Sequence, residues 1–182
     1  MNKINLFKQL LPSLQVGVGG RHLSSSLLGR ISVVLLFALF GTHTASAQEA
    51  YAVYDGLWKL TFYYDSQRSS RTGTIYDMNT SGNTPGWYSN NTRMDTVVFD
   101  PSFASARPTC IYCWFSGMSN LKTITGIQYL NTSYVTDMTA MFMGCSKLTS
   151  LDVSNLNTAN VTNMYGMFEG CSRLTNLDLS RR

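Results

Sequence analysis

Apolar positions in the second half of the chain recur with a long, fixed period. Val135 to Asn160 reads VTDMTAMFMGCSKLTSLDVSNLNTAN, and from Val161 the pattern restarts as VTNMYGMFEGCSRLTNLDLS. Met138/Met164, Phe142/Phe168, Cys145/Cys171, Leu148/Leu174 and Leu151/Leu177 occupy matched positions and form the expected repeat core. A weaker copy precedes them. Phe115, Gly117, Leu121 and Ile124 match Phe142, Gly144, Leu148 and Leu151, and Met94, Val97 and Phe103 match Leu121, Ile124 and Leu130. Within a unit, Leu148, Leu151, Val153 and Leu156 suit a short strand and its exit turn, and Asn157 to Asn160 is turn chemistry. Val161, Met164 and Phe168 then fall on one face of a short helix, with Asn160 or Thr162 as N-cap and Gly170 just past its end.

Strand, turn, helix, turn at this spacing matches the leucine-rich-repeat pattern, in which each unit buries its apolar face only against its neighbours. The expected fold is therefore α/β: a short solenoid of parallel strands and short helices, with a period of about 26–27 and an N-terminal β-rich cap. The expected units are 94–120, 121–147, 148–173 and a partial 174–182. Residues 48–93 differ. Tyr51–Tyr54 and Trp58–Tyr64 are β-rich and separated by Asp55-Gly56, a hairpin signal, and Thr74–Asp77 reads as a further strand. Residues 79–91 are rich in Asn, Gly, Ser, Thr and Pro, a connector around Trp87-Tyr88. An open stack needs a terminal cover, and 48–93 is assigned that role.

Residues 1–47 read as an export leader. Lys3, Lys8, Arg21 and Arg30 precede or flank the apolar run Ile31–Phe40, and Ala45-Ser46-Ala47 is a small-residue cleavage site, so cleavage is expected between Ala47 and Gln48. The run is too short for a span, which needs roughly 20 apolar residues, so no stable membrane span is expected in the mature chain. The leader also explains the formal charge of +4, since removing its four cations from the 14 Lys+Arg leaves as many cations as there are Asp+Glu, 10. That balance removes the argument for a nucleic-acid partner.

The candidate chemistry is thin. Both histidines, His22 and His43, lie in the leader. No triad, phosphate loop or paired-carboxylate motif follows, so neither an enzyme nor a cofactor or metal is expected. Cys110-x-x-Cys113 is a lone pair without a second half-site, which disfavours zinc. Cys145 and Cys171 share one slot in successive units. They read either as a disulfide or as a buried ladder of small side chains, and the ladder is favoured. Residues between the buried strand positions point to the open face: Ser150, Asp152 and Ser154 in one unit, Asn176, Asp178 and Ser180 in the next. These six are the candidate binding residues.

Val97 to Phe103, Ala106 to Thr109, Trp114-Phe115, Leu130 to Thr132 and the two MFxGCxxLTxLDxS blocks together resemble the BspA-like leucine-rich-repeat surface proteins. The resemblance implies an exported, surface-displayed adhesin that binds host matrix protein or another cell surface. Two rival readings are a truncated repeat fragment with no independent activity and, more remotely, an exported thiol-dependent enzyme using Cys110 and Cys113. The partial last unit leaves Leu177 and Leu179 at an uncovered edge, which invites self-association.

Overall fold

The computed structural model describes residues 46–175 and 177, and the leader assigned to 1–47 falls almost wholly outside them. Ala47 and Gln48 are exposed and lie immediately before the first strand. That strand, β1 (Glu49–Tyr54), forms an antiparallel hairpin with β2 (Lys59–Asp65). The turn has the chemistry that Asp55-Gly56 implies. Gly56 takes φ 83°, and the Asp55 carboxylate accepts the backbone N–H groups of Leu57, Trp58 and Lys59 at 2.8–3.0 Å. β3 (Thr74–Asp77) pairs antiparallel with the other side of β1. β4 (Thr96–Phe99) runs parallel to β2, and β5 (Thr123–Thr125) runs parallel to β4, with Thr96 beside Thr123. The sheet order is β3-β1-β2-β4-β5.

This corrects the expected fold. The protein is a mixed five-stranded sheet with little helix, and it is not a leucine-rich-repeat solenoid of parallel strands and short helices. The helical segments among the described residues are short 3₁₀ turns, at Arg68–Ser70, Gly86–Arg93, Pro101–Ser105 and Ile127–Tyr129. Residues 148–156, expected to supply a strand, add none to the sheet among the described residues.

The physical reason lies in where the backbone N–H groups go. In 138–144, alternate N–H groups leave the segment: Met138, Ala140, Phe142 and Gly144 donate to the carbonyls of Asn163, Tyr165, Met167 and Glu169 at 2.7–2.9 Å. Met141, Met143 and Cys145 instead donate three residues back, to Met138, Ala140 and Phe142. An α-helix needs every N–H directed four residues back. Here half are committed to the neighbouring segment. Ala140 also sits at φ 52° and Gly144 at φ 75°, and a left-handed residue every four positions forbids a right-handed helix. Cys113 holds the same strained conformation, at φ 56°. The apolar spacing at i and i+3 is real, but it serves a string of tight turns.

The core is aromatic at its N-terminal end. Phe62 of β2 stacks on Phe99 at 4.7 Å and on Trp114 at 5.1 Å, and meets Trp87, Phe103 and Phe115 edge-on. All six are at most 1 % exposed. Residues 48–93 thus supply three of the strands and part of this core. Trp87 is locked by a bond from its Nε1 to the Trp114 carbonyl at 2.7 Å. Asn79 anchors the connector by accepting Trp114 Nε1 at 2.6 Å. Aromatic cores of this kind combine large buried area with specific edge and face geometry.

Of the expected repeat core, Met138, Phe142, Cys145 and Leu148 are fully buried, and Leu151 is nearly so. Their counterparts one unit later differ. Phe168, Cys171, Leu174 and Leu177 are only partly buried, and Met164 is 39 % exposed. These positions differ in burial because, among the described residues, Met138 to Leu148 are covered from both neighbouring segments and Met164 to Leu174 from one.

Candidate functional site

β5 ends at Thr125, and the chain turns sharply at Gly126, with φ 72°. A side chain there would collide with the carbonyl oxygen of Phe99, so glycine is required. The turn leads into the 3₁₀ segment Ile127–Tyr129. In the next unit the corresponding exit is one residue shorter: Leu151 and Leu156 match Ile124 and Leu130, but no residue is added between them as one is at Gly126. An open cleft of about 850 Å³ lies between the two turns.

Ile124, Gly126, Ile127 and Gln128 line it from one turn, and Ser150, Leu151, Asp152, Ser154 and Asn155 from the next, with Leu177 at its end. The floor is apolar, since Ile127 and Leu151 are each 7 % exposed. The rim is polar: Gln128, Ser150, Asp152 and Ser154 are all exposed. Asp152 accepts the Ser154 N–H at 2.9 Å, a local turn that stiffens its carboxylate. Asn155 ties the two walls together. Its amide donates to the carbonyls of Ile127 at 2.8 Å and Leu130 at 3.3 Å.

Three of the six residues expected on the binding face, Ser150, Asp152 and Ser154, are therefore brought together on one wall. Asn176, Asp178 and Ser180 lie outside the described residues. The sequence expectation does not include the opposite wall. The repeat points to little of it: on the matching of Ile124 to Leu151, Ser150 and Asp152 correspond to Thr123 and Thr125, which do not line the cleft, and of the three only Ser154, on the matching of Leu130 to Leu156, corresponds to a lining residue, Gln128. The lining carries serines and a carboxylate but no imidazole, so it offers hydrogen bonds and apolar contact. Among the described residues, no cluster of three or more His, Cys, Asp or Glu has metal-binding geometry. None of their helices is long and apolar enough to cross a membrane.

The two CxxC cysteines do not line this cleft. Cys110 donates its thiol to the Ser81 carbonyl at 3.1 Å and is 6 % exposed, and Cys113 is 5 % exposed. Burial pushes the Cys110 thiol above its ordinary pKa, which suppresses the thiolate a redox catalyst requires.

No curated protein and no solved structure matches the chain. Over residues 109–181, which contain both MFxGC blocks and every residue lining the cleft, the chain is similar to a family described as "Mycoplasma protein of unknown function, DUF285".

Proposed function

We propose that this chain is an exported, non-enzymatic binding protein of the adhesin type, secreted or held at a cell surface, that recognises a protein or cell-surface ligand. One observation carries the reading: the cleft between Gln128 and Ser154 joins an apolar floor to an exposed polar rim, with its walls tied by Asn155. Such a site suits recognition of side chains of mixed character. The MFxGCxxLTxLDxS blocks support the surface placement through their resemblance to BspA-like surface proteins. So does the leader-like composition of 1–47. One open cleft per copy suits modest affinity, and display of many copies would raise it through effective concentration.

The test is binding of the full-length protein to immobilised extracellular-matrix proteins and to whole bacterial cells, beside a variant carrying Ser150→Arg and Ser154→Arg. Both side chains are exposed, so the variant should melt like the parent and lose at least tenfold in affinity. Equal binding by the variant, or no binding by the parent to any of these surfaces, rejects the proposal.

A further inference from the structure

Cys145 and Cys171 are free thiols on adjacent turns. The glycines before them set their separation. Gly144 donates its N–H to Glu169 at 2.7 Å, and a Cβ placed on Gly170 would lie 3.4 Å from the Gly144 Cα. Both glycines take the same left-handed turn, φ 75° and 73°, so the two cysteines leave their backbones in the same direction. Backbones stacked this way run about 4.8 Å apart, inside the Cα separation of roughly 4.4–6.8 Å that a disulfide spans. The thiols point alike. Cys145 donates to the Phe115 carbonyl at 3.2 Å and Cys171 to the Phe142 carbonyl, the matching group one unit later, at 3.0 Å. They differ in access, Cys145 being fully buried and Cys171 only partly so.

We propose that Cys145 and Cys171 are a modification site: an oxidisable dithiol that closes to a disulfide in the presence of a small-molecule disulfide and clasps the last described turn to the one before it. The asymmetry sets the order of events. The neighbouring Cys145 thiol lowers the Cys171 pKa to about 7, while the neighbouring Cys171 sulfur and burial push Cys145 far up. Cys171, the reachable thiolate, attacks one sulfur of the small disulfide and expels its other half as a thiolate. Cys145 then gives its proton to that departing thiolate and attacks the Cys171 sulfur, expelling the second half. The second half takes up the proton that Cys171 gave to water on ionising, so two protein thiols are oxidised, one small disulfide is reduced to two thiols, and the atoms balance. The clasp tightens the part of the chain where Met164, Phe168 and Leu174 are least covered.

The experiment reduces the full-length protein, incubates it with oxidised glutathione at pH 7, blocks residual thiols with N-ethylmaleimide, and digests it with trypsin. Cleavage after Lys122, Lys147 and Arg173 places Cys145 on 123–147 and Cys171 on 148–173, while Cys110 and Cys113 stay together on 94–122. The expected product is 123–147 joined to 148–173, lighter by two hydrogens than the separate peptides. The oxidised protein should melt at least ~4 °C higher than the reduced. Cys171→Ser should leave the reduced melting temperature nearly unchanged and abolish the oxidative rise. Recovery of both peptides alkylated, of Cys171 only as a glutathione adduct, or of a link confined to 94–122 overturns the proposal.

Discussion

The rings of Phe142 and Phe168 stack face to face, 5.5 Å apart and 3° from parallel, yet only Phe142 is fully buried. Phe115 covers its other side at 5.2 Å. Phe168 has no such neighbour among the described residues and remains partly exposed. The equivalence expected from their matched positions is thus one of geometry, and their energetic weights differ.

Phe142→Ala should cost ~3–5 kcal/mol, the range for emptying a closed aromatic slot. Phe168→Ala should cost about 1–2 kcal/mol, because less apolar area leaves water on folding. Urea unfolding of the two variants checks the order. A Phe168→Ala protein less stable than Phe142→Ala would show that the last turn is covered in solution.

Gly126→Ala should be the most damaging glycine-to-alanine change among the described turns. The left-handed conformation alone costs an alanine about 1–2 kcal/mol, and here the methyl also meets the Phe99 carbonyl oxygen. Gly144→Ala is the control. It carries a similar φ of 75°, but the nearest atom to the new methyl is 3.6 Å away. Thermal melts should place Gly126→Ala well below Gly144→Ala; equal melting temperatures would mean that β4 and the turn separate freely.

Asn155→Ala should lower stability by ~1–3 kcal/mol, since it strips an amide from two part-buried carbonyls. Asn155 also lines the cleft, so loss of ligand binding should accompany loss of stability in this variant. That pairing distinguishes it from the paired arginine substitutions at Ser150 and Ser154, for which stability should hold. Calorimetry beside a binding assay on the same samples checks both halves.

The β1–β2 hairpin should give the protein an acid limb. Tyr51 donates to Asp65 at 2.6 Å, and Arg71 pairs with Asp65 at 2.5 Å while its guanidinium lies 3.7 Å over the Tyr63 ring. Burial pushes the Asp65 carboxyl up, but the hydrogen bonds from Tyr51, the Gln67 N–H and Arg71 outweigh it and hold the group below the ordinary aspartate range. A depressed folded pKa contributes stability that is present above about pH 4 and lost as pH falls through the folded value. Asp65→Asn should therefore melt lower than the parent at neutral pH, with the gap closing on acidification. A gap that stays constant from neutral pH down through the acid range would assign the loss to packing alone.

Local chemistry in the sequence determined a good part of this protein. Asp55-Gly56 dictates the first hairpin, because an aspartate and a glycine at a tight turn satisfy three N–H groups and one positive φ without outside help. Thr74–Asp77 emerges as β3, and the repeat period places Met138, Phe142, Cys145, Leu148 and Leu151 in the interior, where they are found. The tertiary structure decided the rest. Residues spaced i, i+3 and i+7 face one side both in an α-helix and in a chain of tight turns. Only the alternating bonds from 138–144 to 163–169 show which of the two forms. Nor could periodicity alone reveal the cleft. Its two walls come from different units, and they meet as a cleft only because the fold lays the turn at Gly126 beside the turn after Leu151.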